Sequence, residues 1–181
     1  MFPDETGVLL TPLVRTTWAP RGQTPQLAQV MNQRRKITVL GALCVSPDRR
    51  RVRLYLAFFP QDNMDGELAV WFLGELLRHL RGPVAVVWDR LGPHRGEAVE
   101  EFLDTHPRLR VWHFPPYCPE LNPTEQVWRW LKWDRLANFA PANVEVLQDK
   151  AGALCQQACS DSQLLRSFIA LSELPLDLEP P

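Results

Sequence analysis

The sequence lacks any apolar run long enough to span a bilayer, and its first residues show no signal-peptide pattern. A cytosolic protein without a membrane partner is the expectation. Cysteine is sparse. Cys44, Cys118, Cys155 and Cys159 form no C-x-x-C pair, and no two histidines stand at zinc-ligand spacing, which excludes a zinc finger or ribbon. Cys155 and Cys159, one helical turn apart, read as small apolar core residues. Internal repeats and long low-complexity stretches are missing, which excludes a solenoid. An excess of one charge is missing too: 181 residues carry 20 Lys+Arg against 21 Asp+Glu, low for a protein that handles nucleic acid. The total hides a gradient. Residues 1–60 hold nine Lys+Arg against three Asp+Glu, residues 61–140 nine against twelve, and residues 141–181 two against six. The basic first third suits either a phosphate-facing surface or a plain solvated one.

What is present centres on His113-Phe114-Pro115-Pro116-Tyr117-Cys118-Pro119-Glu120-Leu121-Asn122-Pro123-Thr124-Glu125. The prolines hold the connection extended, because proline fixes φ and restricts the residue before it. Asn122 then reads as a helix N-cap, with Pro123 at the first helical position, where its missing N–H costs nothing. Glu125 has two readings. Asn-x-x-Glu resembles a capping box, in which the glutamate turns back to the cap. Alternatively Glu125 is a metal ligand on a rigid helix start. Partners for the second reading exist. The apolar run Val84–Trp88 predicts a buried parallel strand that delivers Asp89 at its C-terminal end, where sites of open α/β sheets gather. Asp4, or its neighbour Glu5, is the third candidate. Three carboxylates from separate elements suit divalent cations and phosphoryl transfer.

Four blocks then stand in order: Asp4-Glu5-Thr6-Gly7; Arg15-Thr16-Thr17-Trp18-Ala19-Pro20-Arg21-Gly22; Asp89 with His94; and Pro115 to Glu125. Together they resemble the catalytic domain of DDE-superfamily transposases, in the mariner-related branch of bacterial insertion sequences. The likeness runs from Asp4 to about Leu136, with 35 residues between Asp89 and Glu125. It implies an α/β, ribonuclease-H-like mixed sheet with helices on both faces. It implies catalytic and metal-ligating roles for Asp4, Asp89 and Glu125, with two Mg²⁺ ions for which Mn²⁺ may substitute. The implied partners are transposon-end and target DNA, a second copy of the chain on that DNA, and a separately encoded helix-turn-helix half. The implied setting is the bacterial cytoplasm. His94 matches the family pattern, whereas Arg90 stands where the family has asparagine. A competing expectation is a non-catalytic fragment that regulates by dimerisation or DNA binding.

Along the rest of the chain, only Met1-Phe2-Pro3 precede Asp4, which predicts a short first strand and a loosely held aspartate. Arg15, Arg21, Arg90, His94, Arg129 and Lys132 are the candidate DNA contacts. Trp18 is either a core anchor or a DNA contact. Residues 37–45 and 51–59 predict a β-hairpin with one half-solvated face, and Arg49, Arg50, Arg51 and Arg53 form a basic cluster on it. Leu68, Phe72, Leu76 and Leu80 predict an amphipathic helix. Pro60 to Met64 reads as a turn, 94–106 as a second helix, and Trp130 and Trp133 as partly exposed. The boundaries are a catalytic domain over 1–140, a helical extension of it over 141–172 and a disordered tail over 173–181.

Overall fold

The computed structural model describes residues 1–27, 35–60, 65–90, 94 and 96–180. The predicted turn over 61–64, and the family block at 91–93 and 95, lie outside the described residues. Five strands form: β1 (Phe2–Leu9), β2 (Lys36–Val45), β3 (Val52–Pro60), β4 (Val84–Trp88) and β5 (Leu109–His113). β1, β2 and β3 pair antiparallel in that order, and β4 pairs with β5 in parallel. Met1 joins the two groups. Its nitrogen donates to the Ala85 carbonyl at 2.6 Å, and its own carbonyl accepts from the Val87 N–H at 2.9 Å. That is a parallel bridge. The strands therefore lie in the order β3-β2-β1-β4-β5, a mixed sheet of the expected kind.

Both faces are covered. β2 is buried over Ile37–Cys44 and feeds two cores by simple alternation. Ile37, Val39 and Leu43 pack with one cluster, while Leu40, Ala42 and Cys44 pack with the other. On the second side lie α1 (Gly66–His79) and α2 (Glu97–Thr105). On the first lie α3 (Pro123–Arg129), α4 (Val144–Ser160) and α5 (Ser162–Ala170). Asp65, Asn143 and Asp161 cap α1, α4 and α5 by accepting a backbone N–H in the first turn. The second helix begins at Glu97, three residues later than the pattern suggested, so His94 precedes it.

Three local expectations need correcting. The hairpin has no half-solvated face along its length. Leu54, Leu56 and Phe58 face the α3 side, and Tyr55, Ala57 and Phe59 pack under α1. Arg53 and Pro60 near the two ends of β3, and Arg51 just before it, are exposed, and Tyr55 to Phe59 are half-buried. Trp130 is buried, because α3 continues as a π-helical turn over Trp130–Arg135 that rotates the indole toward Phe168. Residues 173–180, expected as a disordered tail, lie extended on the α3 side. Leu174, Leu176 and Leu178 pack against that core, and the Glu179 N–H donates to the Arg49 carbonyl at 3.1 Å. Alternate leucines give this segment one apolar edge, which composition alone did not reveal.

Candidate active site

The Met1 bridge sets the position of the site. Met1 stands beside Val86. Carried forward in step, parallel strands bring Asp4 level with Asp89, just past the end of β4. Side chains alternate across β1, so Asp4 turns toward α3 and Glu5 toward the opposite side.

Asp4 is buried and held, contrary to the loose attachment expected. Its Oδ1 accepts from the Glu5 N–H at 2.9 Å. Its Oδ2 accepts from Asn122 Nδ2 at 3.0 Å and from Trp128 Nε1 at 2.9 Å. Burial pushes its pKa up to about 8, helped by the charges of Glu125 and Glu5 and opposed by the Trp128 and Glu5 hydrogen bonds. Asn122 serves two elements at once. Its Oδ1 caps α3 by accepting from the Thr124 N–H at 3.1 Å, and its amide nitrogen reaches Asp4. Trp128 lies flat across β2 at Gly41, the residue paired with Asp4. A Cβ at position 41 would stand 2.5 Å from Trp128 Cη2, so only glycine admits the ring.

On the other side, His94 is fully buried. Its Nε2 lies 3.0 Å from Glu5 Oε2, its Nδ1 bonds Asp89 Oδ1, and its ring stacks on Trp88 with centroids 4.0 Å apart. Burial works against its charge, but the hydrogen bonds and charges of Asp89 and Glu5 outweigh burial and raise its pKa to about 9. His94 thus acts inside the site and has no surface to offer DNA, so its assignment as a DNA contact is corrected.

Glu125 does not fold back as a capping box. The Asn122 N–H that a capping box would use donates to the Pro119 carbonyl at 3.0 Å, and Glu125 is exposed. Its pKa is raised by burial of its carboxyl and by Asp89 and Glu5, with Lys132 pulling the other way. Glu125, Asp89, Arg90, Tyr117 and Asn122 line one cavity of about 530 Å³. The carboxylate oxygens that Asp89 and Glu125 present to this cavity are hard donors of the kind a divalent cation takes. As they stand, no three His, Cys, Asp or Glu among the described residues are gathered closely enough to hold an ion. The expected meeting of three carboxylates within one ion's reach is not met, for a physical reason: Asp4 takes Asn122 and Trp128 as donors, and Asp89 takes His94.

The profile of the DDE superfamily endonucleases matches residues 1–148. The chain belongs to this family. By structure it is similar to a Mos1 transposase paired-end complex with the left transposon end, with a TM-score of 0.67 and 18% identity over 93% of this chain and 50% of that one. The mariner Mos1 paired end complex with Mg gives 0.67 and 20% over the same shares. The catalytic domain of Mos1 mariner transposase gives 0.60 and 15%, covering 93% of this chain and 74% of that one. At these identities the likeness is one of fold. The chain spans about half the length of the first two Mos1 chains. No curated protein matches it significantly by sequence.

The remaining candidates scatter around this DDE-family site. Arg90 is exposed on the cavity wall. Lys132, expected as a DNA contact, turns inward and donates to Thr6 Oγ1 at 2.9 Å. Arg129 is exposed. Arg15 ties the loop after β1 to the end of the π-turn, donating to the Trp133 carbonyl at 2.7 Å and to Asp134 at 2.9 Å. Arg21 is exposed beside a turn closed by the Gln23 N–H and the Pro20 carbonyl. Trp18 is fully exposed, which removes its core-anchor reading. The positions missed from sequence are Trp128 and Gly41. The available signal was spacing: Trp128 lies six residues after Asn122, under two turns along a helix whose cap faces β1.

Proposed function

We propose that the chain is the catalytic domain of a DNA transposase that cuts strands at the ends of a mobile element and joins them to target DNA. The observation that supports this reading is that the three carboxylates stand near one end of the sheet, where the charge of Glu125 raises the pKa of Asp4 and where Asp89 and Glu125 line the same cavity. These three carboxylates would hold the divalent cations, two Mg²⁺ or Mn²⁺. Bound there, the cations supply charge neutralisation at a phosphodiester and lower the pKa of an attacking water. The chain's own residues then do the positioning. Asn122 and Trp128 fix the Asp4 carboxylate in one orientation. His94 orients Asp89 and links it to Glu5. Arg90, on the cavity wall, is placed to meet a phosphate, and its guanidinium offers paired donors that asparagine does not. Recognition of the element's ends is assigned to a helix-turn-helix half outside this sequence, and assembly to a homodimer on DNA.

The test is nicking of duplex DNA carrying the element's ends, in Mg²⁺ or Mn²⁺, by the wild type, Asp89→Asn and Glu125→Gln. We expect both variants to lose at least about a hundredfold, in the range of removing a major electrostatic group. Equal nicking by all three proteins would remove the catalytic assignment.

A further inference from the structure

A second cleft lies at the opposite end of the strands, far from the carboxylates along β4. It has a volume of about 850 Å³ and is walled by the start of β3, the end of α1 and the start of β4. Arg51, Arg53, His79 and Arg81 line it, all exposed, and no acidic residue does. Among the described residues Arg53 and Arg81 have no ion-pair partner. One carboxylate close to the cleft, Asp48, stays ionised beside Arg50 and Arg51 and offsets part of this charge. Asp48, on the hairpin turn, accepts from Ser46 Oγ at 2.5 Å and from the Arg50 N–H at 3.3 Å. The C-terminal carbonyls of α1, which would otherwise present a negative helix end, are occupied by Arg108, which donates to the Leu80 carbonyl at 2.7 Å and the Leu77 carbonyl at 2.5 Å. Tyr55 stacks on His79 with centroids 5.6 Å apart and forms a firm floor. With four basic side chains on its walls, the cleft keeps a net positive charge.

We propose that this cleft grips the phosphodiester backbone of a nucleic-acid duplex segment away from the strand being cut. Arg51 and Arg53 sit on the same face of an extended chain, about 6.6 Å apart at two residues' rise. That is close to the step between neighbouring phosphates on one strand, so the pair reads a linear polyanion better than a single small anion. Arg81 and His79 approach from the other wall, which closes the grip around a strand. The inference rests on the reading of the chain as a DNA-handling enzyme, and it extends that reading to a contact outside the catalytic cavity.

The experiment compares the full chain with an Arg51→Ala/Arg53→Ala/Arg81→Ala variant. Fluorescence anisotropy with a labelled 40-base-pair duplex is measured across a salt series, and nicking is measured at saturating DNA. We expect the variant to bind at least about tenfold more weakly, with the slope of log affinity against log salt reduced by about 3, since each lost phosphate contact contributes about 0.9. Nicking at saturation should be unchanged. Arg53→Lys should keep the wild-type slope, and matching thermal melts would exclude a folding defect. An unchanged affinity and slope in the triple variant overturns the proposal, whatever nicking does. Loss of self-association in the variant with unchanged DNA affinity overturns it as well and assigns the cleft to an acidic protein segment. Normal salt-dependent binding by a wild type that cannot nick leaves the cleft standing and sinks the catalytic reading. A wild type that binds no DNA sinks both.

Discussion

Asp4 concentrates the conflict that defines the site: three N–H donors favour its ionised form, while burial and two neighbouring carboxylates favour the neutral one, and the neutral side prevails. Stability should carry the mark of that conflict. Between its ordinary value of 3.8 and about 8, folded Asp4 keeps a proton that the unfolded chain has released, so stability falls as pH rises through that window. His94 adds to the trend. Its pKa is raised to about 9, so its contribution is complete below the ordinary 6.5 and is lost as pH approaches 9. Without divalent cations, the melting temperature should therefore decline from about pH 4 to pH 9, and Asp4→Asn should flatten the lower part of the decline. A wild type equally stable at pH 5 and pH 9 in chelator would refute this account of the cluster. Trp128→Phe removes one donor to Asp4 and leaves a thinner ring over Gly41. A hydrogen bond to a largely neutral carboxyl contributes about 0.5–1.5 kcal/mol, so urea unfolding near pH 7 should register a loss of at least that order. Nicking should fall more than tenfold, with the metal concentration for half activity rising. A variant with normal metal dependence would reduce Trp128 to packing.

At the level of elements, α3 is tied to β1 by three side chains: Asn122 and Trp128 donate to Asp4, and Thr124 Oγ1 donates to the Phe2 carbonyl at 2.6 Å. Asn122 both starts the helix and holds Asp4, so substitutions there separate the two functions. Asn122→Asp keeps the cap acceptor but sets a carboxylate 3.0 Å from Asp4 Oδ2 in place of a donor. It should keep native helix content by circular dichroism yet lose about 2 kcal/mol or more at pH 8, recovering at pH 5. Asn122→Ala should lose about 1 kcal/mol of cap energy at both pH values, beyond the lost Asp4 contact. Identical pH profiles for the two variants would break the link between cap and site. The elements themselves were legible where one physical rule acts alone. Val84–Trp88 is a continuous apolar run and forms β4, Asn122-Pro123 starts a helix as written, and Leu68, Phe72 and Leu76 mark α1. The failures come where two elements share a residue. Lys132 reads as part of a basic helix side until the π-turn and the Thr6 hydroxyl redirect it. His94 reads as a surface cation until β4 supplies Trp88 beneath it and β1 supplies Glu5 across from it. Pairing between strands, absent from any local window, decided both.

For the whole molecule, the sheet order makes the carboxylate cluster a matter of global stability. Met1 bridges β1 to β4 and His94 links Glu5 to Asp89, and that junction brings Asp4, Asp89 and Glu125 from three separate regions toward one end of the sheet. Folding therefore brings carboxylates together at a cost in burial and mutual repulsion, and a cation that binds them stabilises the fold by mass action. A divalent cation at a hundred times its dissociation constant contributes about 2.7 kcal/mol. For a chain of this size each kcal/mol moves the melting temperature by roughly 2–4 °C, so saturating Mg²⁺ or Mn²⁺ at pH 8 should raise it by roughly 5–11 °C. The rise should shrink in Asp89→Asn and in Glu125→Gln. It should also shrink at pH 5, where Asp4 holds its proton firmly and the cluster has less charge to relieve. Potassium at matched ionic strength separates site binding from general screening, because exposed charges respond to both and a gathered carboxylate site responds to the divalent ion. Equal shifts with potassium, or an unchanged shift in both carboxylate variants, would show that the cluster holds no cation, and the three acids would then be a strained junction of the sheet with no part in binding metal.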